Sequence, residues 1–294
     1  MAETAVAASD NAAFSRLDLA NAVRPVTDTE VAFFHQNGWV LLKGLVDPEV
    51  CRAMLEIGRP KLARLVEGTE EKDVKPGSAQ MQIAESDQGT IVNIPQWCEW
   101  RGAVRAAQDP VYSGVVLSKA MGRNVRRLLD RDRPLRIYHD IFVCKRPDNA
   151  STPTHFHQDA TNFPLDRNAL TAWVALDEVT PDQGPVRFYS GSHKFGLFGS
   201  IAPGGGDIRD EYPELERFQI SPAHHLQPGD CTVHHGLVVH GAGANNTLRP
   251  RWSYLASYFP ADARYNGMPN HDTDGFGLKK GYPLDHPSFS LVAE

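Results

Sequence analysis

A chain of 294 residues with 41% apolar and 22% charged side chains has the balance of an ordinary globular protein and can bury one large core. Its formal net charge of −6 argues against wholesale binding of nucleic acid, which calls for a basic domain or stripe, and no apolar run approaches the roughly 20 residues needed to span a bilayer. Cys51, Cys98, Cys144 and Cys231 lie far apart without paired spacing and read as reduced thiols, so the expectation is a cytoplasmic protein acting on a small molecule.

Residues 1–25 are rich in Ala, Ser, Asn and Asp without periodicity and are expected to be a flexible terminus, with no basic start or apolar run of a secretory signal. Residues 26–294 are read as one domain. Thr27 followed by Glu30 has the form of a capping box, and Val31, Phe33 and Phe34 begin an apolar helical face. Gly38 ends that helix, and Trp39–Leu42 suits a buried strand. Asp47-Pro48 reads as an N-cap with proline at the first helical position, opening a helix to about Leu65 whose stripe is Val50, Met54, Ile57, Leu62 and Leu65. Residues 67–100 are too long and aromatic for a connector and are read as a lid or pocket wall, or else as a satellite cluster. Gln82 and Asn93 in that segment are candidate substrate contacts. Residues 111–131 are predicted helical, with Val115, Val116, Ala120, Leu128 and Leu129 inward.

From Leu135 onward short β-prone runs alternate with Gly and Pro: Leu135–Cys144, Leu170–Leu176, Val186–Tyr189, Cys231–His234 and Trp252–Phe259. Helices followed by many short strands predict a mainly β fold with flanking helices, a sandwich or barrel.

The chemistry concentrates at His157-Gln158-Asp159. On a strand, His157 and Asp159 share a face, and His240, in a strand-like run after the Pro228-Gly229-Asp230 turn, is the candidate third ligand. Two imidazoles and one carboxylate leave open positions on an octahedral ion, as non-haem iron(II) oxygenases require; zinc prefers a tetrahedral set. Further on, Arg251 and Ser253 share a face of the last strand. A guanidinium with a neighbouring hydroxyl fits the distal carboxylate of 2-oxoglutarate.

The sequence resembles the phytanoyl-CoA dioxygenase family of iron(II)/2-oxoglutarate enzymes. The resemblance is carried by Phe142-Val143-Cys144-Lys145-Arg146-Pro147, His157-Gln158-Asp159-Ala160, Trp173–Asp177, Gly184-Pro185, Gly191-Ser192-His193-Lys194, Gly229-Asp230, His240-Gly241 and Arg251. It covers most of residues 27–260. It implies a double-stranded β-helix (jelly-roll) with Fe(II) held by His157, Asp159 and His240, and 2-oxoglutarate chelating the metal with its far carboxylate on Arg251. It also implies consumption of O2, release of succinate and CO2, and removal of a hydrogen atom from an unactivated carbon, usually to hydroxylate it. Related halogenases put a small residue where this chain keeps Asp159, which disfavours halogenation.

Rival assignments sharpen the expectations. Arg249 is the alternative to Arg251 as carboxylate anchor. His155, two residues before His157, should face the same way and is a candidate cosubstrate contact, as is Lys145; Trp173 is read as pocket wall or core. His193, His224, His225, His234 and His235 are read as structural, because only one of each tandem pair can look inward. The run Arg123, Arg126, Arg127, Arg131, Arg133 and Arg136 is read as a solvated face, the alternative being that it raises the potential near the pocket and favours an anionic substrate. A binding module without turnover on the same scaffold, or a zinc hydrolase, are the other function classes; the second lacks a four-ligand pattern. Oligomeric state leaves no mark in the sequence.

Overall fold

The computed structural model describes residues 14, 16–67, 82–93, 97–147, 153–198, 207–270 and 272–294. The first thirteen residues of the expected flexible terminus, residues 68–81 and 94–96 of the 67–100 segment and the glycine run Gly204–Gly206 lie outside them.

Helix α1 (Asp28–Asn37) starts on the expected capping box, Thr27 accepting from the Glu30 N–H while Glu30 accepts from that of Thr27. It stops at Gly38, whose φ of 78° caps it in the left-handed conformation. Strand β1 (Trp39–Leu42) follows, then helix α2 (Pro48–Glu67), with Val50, Met54 and Leu62 buried. The 111–131 stretch is two helices, α3 (Pro110–Val116) and α4 (Lys119–Leu129), rather than one. The break falls where Ser118 caps α4 by accepting from the Met121 N–H, a role that gives Ser non-helical backbone angles.

The remaining strands are β2 (Gln82–Ser86), β3 (Gly89–Asn93), β4 (Trp97–Arg101), β5 (Leu135–Lys145), β6 (Thr154–His157), β7 (Leu170–Ala175), β8 (Val186–Phe188), β9 (Cys231–His235), β10 (His240–Ala242) and β11 (Arg251–Pro260). They form an eight-stranded sheet in the order β1-β9-β7-β11-β5-β4-β3-β2 and a three-stranded sheet β6-β10-β8, antiparallel throughout. This is the double-stranded β-helix, with helices outside. The described parts of the 67–100 segment are three strands that widen the large sheet, so the satellite cluster is not what forms; β4 supplies pocket wall through Trp97 and Glu99.

Alternation along the strands gives the large sheet two unlike faces. Phe142, Cys144, Ala172, Val174, Tyr254, Ala256 and Tyr258 pack with α1–α4 in the main core. His139, Ile141, Val143, Lys145, Thr171, Trp173, Arg251, Leu255 and Ser257 point the other way, toward the small sheet, and line a cavity of about 220 Å³. Among the described residues no helix is long and apolar enough to cross a membrane.

Candidate active site

β6 ends at His157, and Asp159 opens a 3-10 turn (Asp159–Thr161) instead of continuing the strand, which corrects the expected placement of both ligands on one strand. Gln158 between them is fully buried; its amide donates to the carbonyls of Gly196 (2.9 Å) and Leu237 (2.7 Å) and accepts from the Phe198 N–H (2.8 Å). With its side chain pinned on three sides, Gln158 fixes the turn that aims Asp159. His240 begins β10, rather than ending a strand, and stands directly opposite His157.

The three side chains converge. His157 Nε2 lies 3.4 Å and His240 Nε2 3.5 Å from Asp159 Oδ1, and one ligand atom from each residue falls within 4.8 Å of the others. His157 Nδ1 is 2.8 Å from the His155 carbonyl and His240 Nδ1 is 3.1 Å from that of Val238. A carbonyl only accepts, so each Nδ1 carries the hydrogen and each Nε2 keeps a lone pair, the tautomer a metal needs. Burial, with His234 and His157 adding to it, pushes His240 down to about 4 against the pull of Asp159. Burial opposes the Asp159 charge, but His240, His157 and His234 outweigh it and hold the carboxyl well below its usual range. Burial opposes the His157 charge, but Asp159 and the His155 carbonyl outweigh it and raise His157. One carboxylate and two imidazoles on one side of a cavity fit a divalent iron, which would displace the imidazole protons, with positions left open.

His234 was read as structural, yet it belongs here. Its Nε2 lies 3.0 Å from Asp159 Oδ2, and the Thr171 hydroxyl donates to the same oxygen at 2.9 Å. Thr171 and His234 are cross-strand partners on β7 and β9, so two strands orient the carboxylate. Thr171 in turn meets Ser257 (2.9 Å), and Ser257 meets His139 Nε2 (3.0 Å). The only hint in the sequence is that one member of the His234-His235 pair must face the cleft.

At the other end of the cavity stand Arg251 and Lys145, register partners on β11 and β5. Arg251 donates Nη1 to the Gly184 carbonyl, while Lys145 Nζ donates to that of Gly243 at 2.5 Å. Arg251 Nε and the Ser253 hydroxyl are buried without hydrogen-bond partners. Burial lowers Arg251 to about 10. Lys145 falls to about 7, through burial and then the like charge of Arg251. Two buried cations with donor capacity to spare are costly unless an anion joins them, and a carboxylate is the group this seat fits. Trp173 is both wall and packing, with the Arg251 guanidinium 5.3 Å from its ring centre.

Other expectations are corrected. His155 does not share the cavity face: it is exposed, with Nδ1 3.8 Å from Asp207. The β6–β10 register shifts between its two pairings, His240 with His157 and Ala242 with Thr154. That bulge breaks the period of two, so Thr154 lines the cavity in place of His155. Asn93 lies off the cavity and accepts from Arg146 (2.7 Å). Gln82 opens β2 opposite Asn93, and its side chain lies outside the described residues. Arg249 is exposed, pairs with Glu178 (3.3 Å) and lies off the cavity that Arg251 lines. Of the basic run, Arg127 holds Asp28 and the Val26 carbonyl, and Arg136 donates to that of Phe289.

A double-stranded β-helix with a two-histidine, one-carboxylate cluster at one end of its cleft and a buried cationic seat at the other is the architecture of iron- and 2-oxoglutarate-dependent oxygenases, and that is the class of this enzyme. Residues 34–253 match the family model for phytanoyl-CoA dioxygenase (PhyH). A probable phytanoyl-CoA dioxygenase from Caenorhabditis elegans is 28% identical over 73% of this chain and 69% of its own length. The human peroxisomal phytanoyl-CoA dioxygenase is 28% identical over 79% and 68%. Among solved structures, the epimerase SnoN in complex with Fe3+, alpha ketoglutarate and nogalamycin RO is 25% identical with a TM-score of 0.67, covering 90% of this chain and 98% of that one. The chain belongs to the phytanoyl-CoA dioxygenase family.

Proposed function

We propose that the protein oxidises an unactivated C–H bond of a small organic molecule, ordinarily to an alcohol, with His157, Asp159 and His240 holding Fe(II) and Arg251 and Lys145 holding the distal carboxylate of 2-oxoglutarate. The observation that carries this reading is the pairing, within one cavity, of a three-ligand cluster with two buried cations that have no carboxylate partner among the described residues. Bound iron with 2-oxoglutarate and O2 supplies the oxidant, releasing succinate and CO2.

The protein's own contribution is placement. Thr171 and His234 restrain the free oxygen of Asp159 so that its other oxygen stays with the two imidazoles. Arg251 and Lys145 fix one end of the cosubstrate by charge-assisted hydrogen bonds, and Trp173, Leu255 and Val186 supply apolar wall to the cleft. The buried, mutually unpaired cysteines support a reducing compartment, and we place the enzyme in the cytoplasm. The test is anaerobic addition of Fe(II) and 2-oxoglutarate, which should develop a weak visible charge-transfer band. Asp159→Ala should abolish both the band and oxygen-dependent succinate release. A native protein that gives no band at saturating cosubstrate is not this enzyme.

A further inference from the structure

The polar groups around Asp159 form a row that crosses the large sheet. His234 of β9 stands opposite Thr171 of β7, Thr171 opposite Ser257 of β11, and Ser257 opposite His139 of β5. These four strands are neighbours in that order, so one polar side chain from each lies in a line across the strands on the face that meets the cavity. The next row is apolar where it meets the cavity, with Trp173, Leu255 and Ile141, and the far end of the same face bears Arg251 and Lys145. Thr171, Ser257 and His234 are buried. A buried hydroxyl is costly unless it is bonded, and here the bonds run along the row.

The carboxylate end sets the direction of every hydrogen bond in the row. A carboxylate only accepts, so Thr171 spends its single hydrogen on Asp159 Oδ2 (2.9 Å), and His234 donates from Nε2 to the same oxygen (3.0 Å). Thr171 must then accept from Ser257 (2.9 Å). Ser257, with its hydrogen given to Thr171, must accept from His139 Nε2 (3.0 Å). His139 therefore carries a hydrogen on Nε2. Its Nδ1 is buried with no hydrogen-bond partner among the described residues, Asp272 Oδ2 standing 3.7 Å away, so the one hydrogen bond of this imidazole goes to Ser257. Edge contacts with Tyr138 and Phe163, whose ring centres lie 5.2 and 5.8 Å away, hold the ring in place.

We propose that His139 is a positioning residue for the metal-binding carboxylate and acts on it through Ser257 and Thr171. Its Nε2 hydrogen orders both hydroxyls toward Asp159, so that two donors hold Oδ2 while Oδ1 stays beside His157 and His240. Without a donor at position 139, Ser257 is free to turn its hydrogen away from Thr171. Thr171 can then donate to Ser257 instead of Asp159, and the carboxylate loses one of its two restraints. The inference rests on the metal ligands of the oxygenase reading above. Loss of a group that touches a metal ligand typically lowers metal affinity about 10- to 100-fold; His139 acts through two intervening side chains, so a smaller effect is expected.

The experiment titrates Mn(II) by calorimetry into the full chain, for the parent protein, His139→Phe, His139→Gln, Ser257→Ala and the double variant His139→Phe with Ser257→Ala. His139→Phe keeps a ring and loses the donor, and should weaken Mn(II) binding about three- to tenfold. His139→Gln, whose amide can donate to Ser257, should stay within about twofold of the parent. Ser257→Ala should match His139→Phe, and the double variant should bind no more weakly than either, because both substitutions cut the same chain. A role confined to packing would lower Tm and leave metal affinity alone. Parental Mn(II) affinity in His139→Phe, equal losses in His139→Phe and His139→Gln, or losses that add in the double variant would overturn the proposal. Ser257→Ala removes a single oxygen, and parental affinity in that variant overturns it even if His139→Phe does not fold. A parent protein that binds no Mn(II) rejects the metal site and the oxygenase reading with it, whereas normal parental binding with indifferent variants rejects the role of His139 alone.

Discussion

Arg251 and Arg249 are two residues apart and chemically identical, yet only one is buried against the cavity. Hydrogen bonds to charged groups contribute about 1.5–3 kcal/mol, so Arg251→Ala should raise the half-saturating 2-oxoglutarate concentration about 10- to 100-fold while kcat at saturation changes little. Arg249→Ala, which breaks only an exposed pair with Glu178, should leave that concentration unchanged, and the reverse result would move the anchor. Lys145 adds a pH dependence whose sign is fixed. In the free protein it titrates at about 7, lowered by burial and then by Arg251, whereas a bound carboxylate favours its charged form. Binding therefore takes up a proton above pH 7, and 2-oxoglutarate affinity should fall as pH rises through that point, by at most about tenfold per unit. Lys145→Met should flatten the profile; a slope that survives the substitution belongs to another group.

Gly184 shows how backbone packing builds the seat. Its φ is 64°, and a Cβ there would stand 2.2 Å from the Gly243 carbonyl oxygen and 2.6 Å from that of Ala244. The carbonyl of Gly184 accepts from Arg251 and that of Gly243 from Lys145, so one close approach of two loops aims both cations. Gly184→Ala should cost about 1–3 kcal/mol of stability, read by denaturant unfolding, and should raise the 2-oxoglutarate requirement although the side chain touches no ligand. Such long-range contacts are what the sequence conceals. The capping box at Thr27, the Asp47-Pro48 helix start and the strands from Leu135 onward were legible because local spacing determines them. The proposed ligands His157, Asp159 and His240, which the structure brings together, were legible as residue types in order. The bulge that turns His155 outward, the 3-10 turn at Asp159, the inward choice between His234 and His235, and the pairing of β2–β4 onto the main sheet depend on partners distant in the chain.

The cleft lies between two sheets, and its proposed binding groups are divided between them. His157 and His240 belong to β6 and β10 of the small sheet, whereas Arg251 and Lys145 belong to β11 and β5 of the large one. Metal and cosubstrate together should therefore tie the sheets as well as fill a site, and ligands that bind only the folded state stabilise it by mass action. At about one hundred times the dissociation constant the gain is about 2.7 kcal/mol, which for a chain of 294 residues raises Tm by roughly 4–5 °C. If the ion and the cations hold 2-oxoglutarate jointly, 2-oxoglutarate alone should give a small shift and Mn(II) with 2-oxoglutarate a large one, reversed by EDTA. The variants divide the effect: Asp159→Ala should lose the metal shift and most of the cosubstrate shift, while Arg251→Ala should keep the first and lose the second. If 2-oxoglutarate stabilised Asp159→Ala as fully as the parent protein, the cations would be binding it independently of the ion, and the two ends of the cavity would not form one site.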